Sequence, residues 1–146
     1  MATLNGDTVE LLKHCISGSK MATNSIEQVR KYVQSEELKD RIEKYNGEHI
    51  RLGEEIHTIL REAGVEDPDP NPVSKAFAWA SAEMKMMMEK SEKQVASILT
   101  DGCSMGMKSL SEYLNEYSGA EEKAKLIAEK LRELERNMMR DLEKFL

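Results

Sequence analysis

The sequence is poor in several residue types that mark specialised folds. Of its 146 residues only 5% are aromatic, and it contains two cysteines and three prolines. Few aromatics beside 33% charged residues are typical of a helical protein with long solvated faces. Cys15 and Cys103 fit no metal-binding or CxxC spacing, so we expect reduced thiols in a cytoplasmic protein. The length predicts a single domain that can bury a hydrophobic core.

The chain also lacks long apolar runs and an excess of positive charge. No run approaches the length of a membrane span, and the opening MATLNGDTVELL has no basic start followed by an apolar signal core. The formal net charge is -6, whereas nucleic acids and anionic membranes are bound by clustered Lys and Arg. We therefore expect neither a nucleic-acid nor a membrane partner.

Helical periodicity runs through the chain, and no segment alternates with the period of a strand. Capping boxes at 7–10 and 118–121 predict two helix starts, and Ser35 and Ser91 predict two more as N-caps. Gly64 predicts the end of the second helix. The four long helices predicted by these signals are about 7–34, 35–63, 91–117 and 118–146.

The short connections predict two antiparallel hairpins, 8–63 and 91–146, separated by a linker and crossover at 64–90. The linker contains Pro68, Pro70 and Pro72, which exclude a helix there. A crossover helix over 73–90 should bury Phe77, Ala80, Met84 and Met87, with Trp79 and Met86 on its flank and available to a partner. The prediction is one all-α domain, a ferritin-like four-helix bundle with an extra crossover helix. The alternative is a plain up-down bundle with one unbroken helix over 73–117.

Three features of the chain resemble an uncharacterised bacterial ferritin-like family, related to small stress-response four-helix proteins. They are the segment DGCSMGMKSLSEYLNEY, the crossover AFAWASAEMKMMM, and the paired apolar patterns of the second and last helices. The resemblance extends over nearly the whole chain. It implies the fold, self-association with a dimer favoured, and a stress-related role, but little about activity.

The stretch GEEIHTIL raises the question of a metal site, since Glu54 and His57 have the Glu-x-x-His spacing of iron-binding bundles. At about 100° per residue, Glu54 lies nearly opposite the apolar stripe of the second helix and His57 about 120° from its centre. We therefore predict that both are exposed and that His57 has no partner. The stripe itself comprises Ile42, Tyr45, His49, Leu52, Ile56 and either Ile59 or Leu60.

The inward residues give an incomplete set of iron ligands. A di-iron bundle needs four carboxylates and two histidines. His49 has Asn46 three residues before it, and Glu135 has Met138 three residues after it, so each pair has lost one ligand. The resemblance implies carboxylates at two further positions, which are occupied by Ser19 and Gly106.

We accordingly expect no metal, no cofactor and no catalytic residue. His49 and Glu135 remain the residual candidates for a single-metal site, with Cys15 or Cys103. The favoured interpretation is that His49 is a buried core histidine, hydrogen-bonded to Glu135 or Tyr113.

Gly102 and Gly106, in a GxxxG pattern, predict a close helix approach with both glycines facing inward. The inner face of that helix should then be Val95, Gly102, Gly106, Ser109 and Tyr113. On the first helix the predicted inner face is Leu12, Cys15, Ser19, Ala22 and Ile26. Dimerisation could use the crossover or the groove near Gly102.

The function predicted is that of a non-catalytic bundle acting through self-association or partner binding. Two alternatives remain open. One is a metal-handling ferritin-like protein with a degenerate iron site. The other is a histidine phosphotransfer-like protein, because HCISGS resembles the phosphotransfer motif and His14 should point outward.

Overall fold

The protein is described by a computed structural model over residues 3–66, 68, 86 and 90–146. Its long helices are α1 (Gly6–Val29), α2 (Glu36–Glu62), α3 (Glu92–Glu116) and α4 (Glu122–Leu142). Short 3-10 turns follow α1 at Arg30–Tyr32 and α4 at Glu143–Phe145. No strand occurs within these residue ranges. The predicted class, an all-α four-helix bundle, is confirmed.

The predicted signals at both ends of α2 and at the start of α3 are confirmed. The Ser35 hydroxyl accepts a hydrogen bond from the Leu38 backbone N–H at 3.3 Å, and Ser91 accepts one from Gln94 at 3.1 Å. Gly64 follows α2 with a φ of 75°. This left-handed conformation is one that glycine adopts without a steric cost, so the helix ends where the sequence predicts.

The two predicted capping boxes are wrong. The N-cap of α1 is Asn5, which accepts from the Thr8 N–H at 2.8 Å, and the N-cap of α4, Glu121, makes no side-chain capping bond. Instead, side chains at the start of α1 accept from the turn that leads into α4: the Gly119 N–H donates to Asp7 at 2.9 Å and the Glu121 N–H to Thr8 at 2.8 Å. The free N–H groups at a helix start can be satisfied by a neighbouring helix as well as by a local side chain.

Contacts at the two ends establish the direction of each helix. The start of α1 meets the α3–α4 turn through the hydrogen bonds of Gly119 and Glu121. At the opposite end, the Glu92 carboxylate accepts from the backbone N–H groups of Gln34 and Ser35, at 2.9 and 2.5 Å. Since α2 and α3 both begin at this second end, they run parallel. The chain must therefore cross from one end of the bundle to the other between them.

This crossing excludes the plain up-down alternative. Lys90 and Ser91 lie outside any helix, so one unbroken helix over 73–117 does not form. The predicted crossover helix, with Phe77, Trp79, Ala80, Met84 and Met87, falls outside the described residues. Met86 is described, and it is helical and 1% exposed within the core. The prediction that Met86 lies on a free flank is therefore wrong.

The core consists of apolar side chains from all four helices along the bundle axis. The predicted stripe of α2 is confirmed for Ile42, Tyr45, Ile56 and Leu60, whereas Leu52 and Ile59 are half-buried. On α1 the prediction holds except at Ala22, which is also half-buried. Each fully buried leucine or isoleucine contributes about 1.5–3 kcal/mol relative to an exposed one, so these stripes determine how each helix is rotated.

The predicted inner face of α3 is wrong in part. Gly102 is exposed, and Gly106, Ser109 and Tyr113 are only half-buried. The buried residues of α3 are Val95, Ala96, Leu99, Thr100, Cys103 and Leu110. A larger apolar side chain gains more from burial than glycine does, so the apolar series sets the rotation of this helix. None of the described helices could span a membrane on grounds of length and hydropathy.

Candidate functional site

Three polar side chains meet inside the core, and we call them the central polar cluster: His49 of α2, Cys103 of α3 and Glu135 of α4. They are 0%, 2% and 7% exposed. Each lies within the apolar stripe of its own helix, and the apolar neighbours hold it inward. The cluster is therefore a direct consequence of helix rotation.

His49 approaches Glu135 without forming a hydrogen bond. Its Nε2 lies 3.3 Å from Oε1 of Glu135, yet neither ring nitrogen of His49 has a hydrogen-bond partner. Burial lowers the pKa of His49 to about 4, so the ring is neutral at pH 7. The burial predicted for His49 and its position next to Glu135 are confirmed. The predicted hydrogen bond is wrong: the distance from Nε2 to Oε1 is short enough, but the two groups do not have hydrogen-bond geometry.

Glu135 has its polar partner in Cys103. Burial raises the pKa of Glu135 to about 7, while the hydrogen bond with Cys103 acts in the opposite direction. Burial raises the pKa of the Cys103 thiol well above its usual range, and the nearby carboxylate raises it further. The thiol therefore stays protonated and donates to Glu135. Cys15 is also buried and free, and burial raises its pKa to about 12.

Gly106 leaves room for the Glu135 side chain. A Cβ atom built on Gly106 would lie 3.4 Å from Cδ of Glu135. A close helix approach was predicted at this glycine, but the atoms nearest to it belong to the side chain of Glu135 and not to a helix backbone. Gly102 has no heavy atom within 4 Å of the same construction, so the close approach predicted there is wrong.

The residues present do not fit a di-iron centre. Within the described part of the chain, Glu135 is the only buried acidic side chain, and no group of three or more His, Cys, Asp and Glu residues could hold a metal. Asn46, which replaces the expected carboxylate, is 6% exposed and its Oδ1 has no partner. His49 and Glu135, the residual candidates, are brought together as a pair only.

A groove of about 270 Å³ lies between α1 and α2, and we call it the α1–α2 groove. Ser19 and His49 form its buried floor, whereas Glu54 and His57 are exposed at its mouth. The exposure predicted for Glu54 and His57 is confirmed, but His57 does take part in an interaction, so the prediction that it has no partner is wrong. The full lining is Ile16, Ser19, Lys20, Thr23, His49, Ile50, Gly53, Glu54 and His57.

This groove was not among the features predicted from the sequence. The small residues Ser19 and Gly53, on helices predicted to be neighbours, were the available signal, since their Cβ positions lie only 3.8 Å apart. Side chains this small leave space between two packed helices.

His14 lies in an aromatic stack. Its ring is 4.0 Å from that of Tyr113 with an interplanar angle of 12°, and Tyr117 lies 5.7 Å away. The Tyr117 hydroxyl is 3.4 Å from Nε2 of His14. The ring is half-buried, in contrast to the outward position predicted for it. Phosphorylation at Nε2 would require Tyr117 to move away.

Comparisons with known proteins give a likeness of fold. No known family and no curated protein matches the sequence. Among solved structures, the chain is similar to a DUF305 fragment from Deinococcus radiodurans, with a TM-score of 0.77 and 11% identity. The match covers 98% of this chain and 97% of that one. At this identity the likeness supports the helical fold and says nothing of activity.

Proposed function

We propose that the protein is a non-catalytic, ferritin-like bundle of a bacterial cytoplasm that acts through self-association or by binding a protein partner. The observation that carries this proposal is the central polar cluster, because its one carboxyl group is already engaged within the protein. Glu135 occupies the space beside Gly106 and accepts from Cys103. The stress-related role implied by the family resemblance belongs to the same proposal.

The protonation states of the buried groups support a non-catalytic role. Thiolates, and not thiols, are the nucleophiles of cysteine enzymes, and burial raises the pKa of both Cys15 and Cys103. His49 is neutral at pH 7, and no hydrogen bond orients its ring as a general base would require. The cluster thus combines buried polar groups with little reactivity.

The outer face of α3 supports self-association. Met105 is 70% exposed, and Gly102, one turn earlier, is exposed with open space around it. A second bundle could approach closely at the glycine and bury the methionine, a flexible side chain that adapts to many surfaces. This is the surface we assign to a dimer.

Sedimentation velocity over a range of concentrations tests self-association. We expect the wild type to dimerise and Met105→Glu to remain a monomer, because the substitution places a charge at the contact. Leu126→Glu is the matched control, since Leu126 is 54% exposed on α4, and it should dimerise normally. A wild type that is monomeric at every concentration, or a dimer lost equally in both variants, would overturn the assignment.

A metal-handling role is the second candidate, and one observation favours it. Both ring nitrogens of His49 lack partners, and Nε2 faces Glu135 at 3.3 Å. Elemental analysis of protein from iron-supplemented cells separates the two candidates. The non-catalytic proposal expects no stoichiometric iron. About two irons per chain with a ferroxidase rate would refute it, and one metal per chain that is lost in Glu135→Gln would favour the second candidate.

A further inference from the structure

The floor of the α1–α2 groove holds polar atoms that lack partners. Ser19 is 2% exposed and His49 is not exposed at all, yet Oγ of Ser19 and both ring nitrogens of His49 make no hydrogen bond. Buried polar atoms are nearly always paired in folded proteins, and leaving them unpaired costs free energy. Two such residues on one groove floor leave hydrogen-bonding capacity that the protein itself does not use.

The two nitrogens of His49 are not equivalent. Nε2 lies beside the Glu135 carboxylate, which favours the tautomer that carries the proton on Nε2. Nδ1 is then a hydrogen-bond acceptor without a donor. The Ser19 hydroxyl can both donate and accept. Together the two residues offer sites for one hydroxyl group.

The remaining walls are suited to an apolar body. Ile16 and Ile50 line the groove, and Gly53 contributes no side chain. A Cβ atom on Gly53 would make only an ordinary contact with Ser19, at 3.8 Å, so helix packing does not require a glycine there. The effect of Gly53 is to leave the groove open.

The size of the groove suits a small aromatic molecule. Its volume is about 270 Å³. An apolar protein cavity of about 150 Å³ is large enough to bind benzene. A single substituted ring therefore fits.

We propose that the α1–α2 groove binds small, mainly apolar molecules that carry one hydroxyl group, with phenols as the simplest class. The ring packs against Ile16 and Ile50, and the hydroxyl donates to Nδ1 of His49 and accepts from Ser19. The groove is lined by α1 and α2 alone, whereas the surface assigned to self-association belongs to α3. Neither proposal depends on the other.

Phenol and toluene are matched probes for this site, because they differ in the hydroxyl group. Protein labelled with ¹⁵N-histidine is titrated with each while the ring signals of His49 are followed by NMR. We expect saturable phenol binding with a Kd on the order of 1 mM and toluene binding at least about tenfold weaker. Absence of saturation, or equal affinity for both probes, would overturn the proposal and leave water as the occupant.

Two glycine variants of α2 locate the binding. Gly53→Leu fills the groove and should weaken phenol binding at least about tenfold. Gly47→Leu is the matched control, because Gly47 lies on the same helix with nothing within 4 Å and does not line the groove. Circular dichroism verifies folding, and Gly53→Ala, a smaller addition, replaces Gly53→Leu if that variant unfolds. Unchanged binding in the folded Gly53 variant would place the ligand elsewhere and refute the site.

Discussion

His49 and His57 lie on the same helix and line the same groove, but their surroundings are opposite. His49 is fully buried at the floor, and His57 is exposed at the mouth. Eight residues along an α-helix amount to a turn of about 80°, which is enough to carry a side chain from the core to solvent. The Glu-x-x-His spacing of Glu54 and His57 is thus less informative than the direction in which the helix face points.

The same contrast separates the chemistry of the two residues. Burial lowers the pKa of His49 to about 4. The His49 ring also lies against the carboxyl group of Glu135. His57 is exposed, and substitutions at exposed positions usually change stability little. A residue type alone therefore predicts neither stability nor function here, and the comparison can be tested by substitution.

The largest effect is expected at His49. His49→Ala should lower the free energy of unfolding by about 2 kcal/mol or more, because it opens a cavity in the core. His49→Leu should cost clearly less, since an apolar side chain of similar size replaces two unpaired nitrogens. Urea denaturation measures both. Equal losses in the two variants would show that a polar contact of His49, and not its volume, stabilises the bundle.

The pH dependence of stability should distinguish His49 from Glu135. The pKa of His49 is about 4, below the usual value of about 6.5, so the unfolded chain binds the extra proton and stability falls as pH drops from 6.5 to 4. The pKa of Glu135 is about 7, above the usual 4.5, so the folded chain binds the extra proton and stability falls as pH rises from 4.5 to 7. The two effects nearly cancel in the wild type.

Removing either group should reveal the pH dependence of stability that the other contributes. When the pH falls from 8 to 5, the free energy of unfolding of Glu135→Gln should fall by about 2 kcal/mol relative to that of the wild type. For His49→Leu it should rise by about the same amount relative to the wild type. Urea denaturation at the two pH values measures the difference. If both variants follow the wild-type pH profile, neither group has the pKa shift that its burial implies.

The two glycines of α3 should respond differently to replacement by alanine. Gly102→Ala should raise stability by up to about 1 kcal/mol, because alanine favours a helix and the position is open. Gly106→Ala places a methyl group 3.4 Å from Cδ of Glu135, at the near limit of ordinary contact, so the helix gain of about 1 kcal/mol should be smaller or lost. Thermal unfolding compares them. A larger gain at Gly106 would mean that Glu135 does not occupy this space.

The smallest effect is expected at His57. His57→Ala should change the free energy of unfolding by less than about 0.5 kcal/mol, which is usual for an exposed site. The same urea assay that measures His49→Ala serves as the reference. A loss at His57 that equals or exceeds the loss at His49 would mean that α2 is rotated from the position described, and Glu54 with His57 would return as a candidate metal pair.

Local patterns were sufficient to predict much of this bundle. The apolar period of α2 placed His49 inside and Glu54 and His57 outside, and Ser35, Ser91 and Gly64 marked helix ends correctly. The long connection between two hairpins predicted the crossing between bundle ends. These features depend on neighbouring residues of one helix or on the length of a segment. Both can be read directly from the sequence.

Other features depended on contacts between helices, which no local pattern contains. The Thr8 hydroxyl accepts from the Glu121 N–H just before α4, where a local box at 118–121 was predicted, and the apolar residues of α3 turn Gly102 outward. Likewise, the partner of Glu135 is Cys103, while His49 is left with unpaired nitrogens on the floor of a groove. A sequence determines which side chains a helix presents on each face. Which polar atoms find partners, and where space remains between helices, is decided only when all four faces pack together.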